Sequence, residues 1–262
     1  MDRSFLAADG VVTASRKFVC IRLATYESAA ENALLKTVFA PRGNLENTVF
    51  TIMAPDGKTQ LVRAGRSPVW AFGGKAGPGI NAQPVESMEK MASTMEAISS
   101  KYPGKEDVAN TSVPYLADVR LALNVSACDK QPLVVVFNSD AKQRQAMEKT
   151  LAPLAWSDSF IGQFQYVSAT NAKEFEAISG AKVDSGFVVI QPDTFGVKGE
   201  VLAVVAASAD RDSLDKALSS AMKKHRPSTL SYEAHRRKGS QEGIKWNTAT
   251  PVTDGHGRRP RR

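Results

Sequence analysis

Apolar and polar positions switch between two periods along this chain, and the switches mark out its elements. Residues 17–23, KFVCIRL, alternate around apolar positions and predict a strand. Residues 28–38 set Ala30, Ala33, Leu34 and Val38 near one face at helical spacing. Residues 48–54 and 59–63 predict two strands forming a hairpin. Their link is Pro55-Asp56-Gly57-Lys58, where Gly takes positive φ readily and Asp bonds to nearby backbone. A Gly- and Pro-rich loop over residues 67–84 follows and carries Trp70 and Phe72. Residues 85–101 then space Met88, Met91, Met95 and Ile98 three or four apart. That predicts a helix whose methionine face packs into a core.

The second half has a clearer rhythm. Residues 115–127 predict a helix, and residues 133–137, LVVVF, are an unbroken apolar run suited to a strand covered on both faces. Helices over 140–154, 172–179 and 212–224 alternate with strands over 163–169, 186–191 and 200–206. Crossover helices suit parallel pairing, and the short link between the last two strands suits an antiparallel hairpin. The expectation is a mixed sheet with helices on both faces and residues 133–137 near its centre.

The halves also correspond in order. Lys17-Phe18-Val19-Cys20-Ile21 answers to Gln163-Phe164-Gln165-Tyr166-Val167, and Ala24-Thr25 to Ala169-Thr170. Residues 48–62 answer to residues 186–202, so the pattern predicts a duplication. Residues 113–226, led by Lys130-Gln131-Pro132 and the run to Phe137, resemble the thioredoxin-like superfamily. Residues 5–101 resemble the later portion of that fold. The resemblance implies an α/β protein of two tandem thioredoxin-like units, the first truncated (residues 1–104), the second over 105–226, and a basic extended tail over 227–262. In the first unit nothing matches the strand at 133–137. Either another segment or chain closes it, or a different register applies.

The redox chemistry of that superfamily does not carry over. Its CxxC or single reactive Cys would lie just past residue 137, where this chain has Asn138-Ser139-Asp140-Ala141-Lys142-Gln143-Arg144. The usual proline before the terminal hairpin is likewise replaced, by Asn47-Thr48 and Ser185-Gly186. Disulfide exchange needs a thiolate to attack sulfur. The two cysteines, Cys20 and Cys128, are too far apart in sequence for a CxxC or a metal cluster. Cys20 is the candidate reactive thiol, with Arg22 two positions on; the plainer expectation is a buried structural thiol.

Charge refines the picture. The chain carries a net +7, and residues 225–262 hold nine Lys or Arg against three Asp or Glu. The basic character therefore belongs to the tail, with candidate anion-binding residues Arg236, Arg237, Lys238, Arg258, Arg259, Arg261 and Arg262, and with aromatic Tyr232 and Trp246 among them. His225, His235 and His256 show no metal-ligand spacing. The glycines of residues 73–79 lack the GxxxxGK[ST] pattern of a phosphate loop. No cofactor, metal site or catalytic set follows, and no apolar run spans a membrane. No export signal is visible at the start of the chain; prior removal of one leaves the compartment open.

These readings converge on a noncatalytic protein-association or scaffold module, acting with a protein partner or as a homo-oligomer. Trp70, Phe72 and Trp246 are its candidate contact residues. An incomplete sheet would accept a strand from a second copy, another protein, or residues 228–232 or 246–250 folding back. An atypical single-cysteine thiol oxidoreductase or peroxidase, and a nucleic-acid-associated protein using the basic tail, are the alternatives.

Overall fold

A computed structural model describes residues 5–39, 49–74, 84–104, 112–181, 183–246 and 248–250. The chain forms two compact units: Met1–Lys105 with Asn247–Arg262, and Glu106–Trp246.

The first unit is built on helices α1 (Asp9–Ser15), α2 (Ala29–Val38), α3 (Val69–Phe72) and α4 (Val85–Lys101). Ser28 starts α2 because its side chain accepts a hydrogen bond from the Glu31 amide. The methionine face of α4 does turn inward. Met91 and Met95 join Phe5, Val11, Ala14, Ile52, Val62 and Phe72 in one core, with Met88 and Ile98 packed against it. The turn at residues 55–58 forms as its chemistry demands: Asp56 accepts from the Lys58 and Thr59 amides at 2.8 and 2.9 Å, and Gly57 has φ 65°. Around it the chain doubles back through isolated bridges, Phe50 to Gly65 and Met53 to Gln60.

Among the described residues, no strand of the first unit joins a sheet. Residues 17–23 lie outside any strand, with Val19 and Ile21 77% and 76% exposed. The expected tandem pair of thioredoxin-like units is therefore corrected: the fold is mixed α/β with one six-stranded sheet among the described residues, and that sheet belongs to the second unit.

The sheet contains β1 (Tyr115–Leu116), β2 (Leu133–Phe137), β3 (Gln165–Ala169), β4 (Ile178–Ser179), β5 (Gly186–Pro192) and β6 (Gly199–Val205), in the order β1-β3-β2-β5-β6-β4. β3 runs parallel to β1 and β2, whereas β5 is antiparallel to both β2 and β6. Helix α5 (Val119–Asp129) covers one face, and α6 (Ala141–Ala155) and α7 (Arg211–Lys224) cover the other. This explains the unbroken run in β2. Leu133, Val135 and Phe137 feed the core under α5, while Val134 and Val136 feed the core under α6 and α7.

Two predicted helices are revised in this unit. Asp118 accepts from the Leu121 amide at 2.7 Å and so starts α5 late, leaving Tyr115–Leu116 to pair with β3. Residues 172–179 give a 3-10 turn, Ala172–Phe175, held by a capping box of Asn171 and Glu174, and then β4.

β6 is paired along its length by β5, with Leu202 as an extra residue at an irregularity, but β4 reaches it only at Gly199 and Glu200. Beyond the two residues paired with β4, no strand pairs with the outer edge of β6 among the described residues.

The expected extended tail is also revised. The second unit runs on to Trp246 and includes α8 (Tyr232–Gln241), whose start is capped by Ser231. This arm returns along α5. His225 Nε2 lies 3.0 Å from the Lys130 carbonyl beyond the end of α5, and Nδ1 lies 2.7 Å from Gln191 Oε1. The Arg120 guanidinium in the first turn of α5 sits 4.2 Å over the Trp246 ring.

Candidate functional site at the carboxyl end of the sheet

In open α/β sheets, chemistry gathers where parallel strands end and helices begin. Here that place lies between the end of β2 and the first turn of α6. Buried Asn138 leaves β2 and orders the turn: its Oδ1 accepts from the Asp140 amide at 2.9 Å, and its Nδ2 donates to Gln143 Oε1 at 3.0 Å. Asp140 caps α6 by accepting from the Gln143 amide at 2.8 Å, so a carboxylate already occupies the positive end of the helix. Arg144 donates to the Asn138 carbonyl at 2.7 Å. Each group is engaged with a neighbour, and none is a nucleophile paired with a base.

One turn further along α6, Glu148 stands in the i,i+4 position from Arg144 and accepts from Ser168 Oγ of β3 at 3.4 Å. Tyr115 and Tyr166, directly opposite one another on β1 and β3, complete the cluster. Their hydroxyl oxygens are buried with no hydrogen-bond partner among the described residues. Burial pushes both phenols above their ordinary range. For Tyr115 the neighbouring Glu148 charge adds to the rise, and Arg144 opposes it. Both therefore stay neutral across the physiological range. Sequence reasoning missed this cluster because residues 115 and 116 read as helix; the i,i+4 pair Arg144 and Glu148 was its visible trace.

The sequence of this turn contains no cysteine. Cys20 belongs to the first unit, where it is exposed rather than buried as expected. Crowding around the sulfur still raises its thiol above the ordinary value, which opposes thiolate formation. Cys128 is exposed in the last turn of α5, near where β2 begins; β2 itself is about 16 Å long at a strand's rise per residue, so Cys128 is at the wrong end.

The aromatic candidates separate. Phe72 is 6% exposed, meets Phe50 edge-on at 6.1 Å and is part of the first core, so it is corrected from a contact residue to a packing one. Trp70 is 42% exposed, its ring lying under the Arg63 guanidinium at 5.3 Å and edge-on to Phe39. Trp246 is half-buried under Arg120. Arg236, Arg237 and Lys238 are exposed on α8. Arg258, Arg259, Arg261, Arg262, His256 and the Gly77-Pro78-Gly79 portion of the loop lie outside the described residues.

The proposed fold-back strands also change. Tyr232 begins a helix, and Thr250 returns to the first unit, donating from its amide to the Tyr26 carbonyl at 2.9 Å and from Oγ1 to the Thr25 carbonyl at 3.2 Å. These bonds meet a turn rather than a strand edge. Among the described residues, no group of three His, Cys, Asp or Glu gathers as a metal site, and no helix is long and apolar enough to cross a membrane. Compared with protein-family models, curated proteins and solved structures, the chain matches none.

Proposed function

We propose that this chain is a noncatalytic association module whose second unit is a degenerate thioredoxin-like domain and pairs, through β6, with a second copy. Support for the domain reading is the succession β2-α6-β3, then β5-β6-α7, with β2 and β3 parallel and β5 antiparallel between β2 and β6. Support for the absence of redox catalysis is the sulfur-free, internally bonded turn at Asn138–Arg144.

The observation that carries association is the outer edge of β6. Val201-Leu202-Ala203-Val204-Val205 has no charge and no proline, the devices that usually blunt an edge, and Val204 is 51% exposed. An antiparallel copy of the same strand places no like charges opposite one another over this stretch. On this reading a partner strand joins the second unit rather than the first, which was the sequence-based expectation.

Sedimentation at several concentrations tests this. The full chain should gain mass with concentration, and Val204→Lys should hold it monomeric with an unchanged melting temperature. A wild-type chain monomeric throughout would overturn pairing through β6. A thiol-disulfide exchange assay is the second arm. Turnover lost in Cys20→Ala, Cys128→Ala would replace the noncatalytic reading with a single-cysteine oxidoreductase.

A further inference from the structure

Helix α8 is held to the second unit by one side only. His235 and Gly239, a turn apart, face Phe195 at the tip of the β5–β6 hairpin. The two rings are 4.9 Å apart, and a Cβ on Gly239 would stand 3.1 Å from Phe195 Cε1. Gly239 is the one buried residue of this helix. Helical spacing then turns Tyr232 and Arg236, also a turn apart, onto a shared flank and Arg237 onto the far side. Tyr232 is 81% exposed, and Arg236, Arg237 and Lys238 are all exposed. Residues 223–246 hold seven Lys or Arg and only two glutamates, one of which, Glu242, faces Lys238 at 3.7 Å.

We infer that this outer surface of α8 binds single-stranded nucleic acid. Arg236 and Arg237 meet phosphates, and Tyr232 stacks on an unpaired base. Phosphates complement the charge, and a phenol ring left in water beside a guanidinium matches the base-and-backbone alternation of a single strand. A duplex keeps its base faces stacked inside, where Tyr232 gains nothing. A membrane surface would call for large apolar residues to insert, and the outer face of α8 has Glu233, Arg237 and Ser240 instead. The self-pairing of β6 is not required for any of this.

Fluorescence anisotropy of the full chain with labelled oligothymidylate is the test, beside the same strand in duplex with oligoadenylate and beside polyglutamate as competitor. Binding to the single strand should fall steeply with salt. Arg236→Glu with Arg237→Glu should weaken it about tenfold or more. Tyr232→Ala should weaken it about fivefold or more with the melting temperature unchanged. Replacing Arg258, Arg259, Arg261 and Arg262 by Ala should cost less than the Arg236, Arg237 pair. Four outcomes overturn the inference: no binding, equal binding of the duplex, competition by polyglutamate at matched charge, or a Tyr232→Ala variant that binds like wild type. A larger loss from the four C-terminal arginines would move the site off α8 and overturn its placement.

Discussion

Leu133–Phe137 and residues 17–23 are both short apolar-rich runs, yet one is enclosed and the other stands in water. The first has strands on both sides and helices over both faces, and Leu133, Val134, Val135 and Val136 are all 0% exposed. The second has no strand partner among the described residues; Val19 and Ile21 point outward, and Phe18 packs against the first unit's core. The difference lies in what each run brings with it. Five consecutive apolar residues force burial of both faces, so the fold must supply two covering layers. Alternation sets Val19, Ile21 and Leu23 opposite Cys20 and Arg22, which asks for only one layer, and no neighbouring strand supplies it. A strand-like pattern is thus a demand for partners rather than a strand in itself.

Substitutions at the two runs should separate accordingly. Val135→Asp puts a charge between β3 and β5, and should abolish cooperative unfolding of the second unit as followed by hydrogen exchange. Leu133→Ala should cost about 3 kcal/mol in denaturant unfolding, whereas Ile21→Ser should stay within about 0.5 kcal/mol. Equal losses at the two sites would mean that residues 17–23 are packed after all.

The next largest effect belongs to Gly196, with φ 65° and space for a Cβ only 2.4 Å from the Asn124 Cα. Gly196→Ala should cost about 2 kcal/mol through backbone collision and strain, and should loosen the hairpin tip that seats α8. Its exchange protection would fall while that of β2 held.

Asp118→Ala removes the cap of α5 and should cost about 1 kcal/mol, read as a shift in the denaturant midpoint with its slope unchanged.

The first unit offers a pH effect. The Lys58 and Thr59 bonds hold the Asp56 carboxyl at about 2, below its ordinary 3.8. A depressed folded value stabilises above the ordinary value and loses that contribution as pH falls from about 4 through about 2. NMR titration of the carboxyl should show it, and Asp56→Asn should flatten the stability profile of this turn in that window. The smallest expected effect is at Cys20, whose raised thiol should be alkylated several-fold more slowly than a model thiol at pH 8, with the gap closing as pH rises. Faster alkylation would restore it as a reactive site.

Legibility followed the same physics. The exact span of β2 and of α4 was readable because each carries a strong single period: unbroken apolar for the strand, three-and-four for the methionines. Asp56-Gly57 was readable because a turn is local chemistry. The start of α5 was misplaced because Leu116 continues the apolar spacing, and only the side-chain bond from Asp118 breaks it. Helix α8 has almost no apolar face to announce it; Ser231 as a cap and the Phe195 contact with Gly239 decide it, and the second depends on a hairpin far away in sequence. Of the Tyr115, Arg144, Glu148 and Tyr166 cluster only the i,i+4 pair on α6 could be read, for a related reason, since β1 exists only once β3 has paired with it.

The bonds from Thr250 to Thr25 and Tyr26 make the first unit discontinuous, with the entire second unit inserted between its parts. Synthesis therefore imposes an order. The second unit is complete in sequence when Trp246 emerges, whereas the first must still wait for Thr250. A nascent chain halted at Trp246 would carry a finished sheet and an unclosed helical unit, so ribosomal pausing there would expose one to quality control and spare the other.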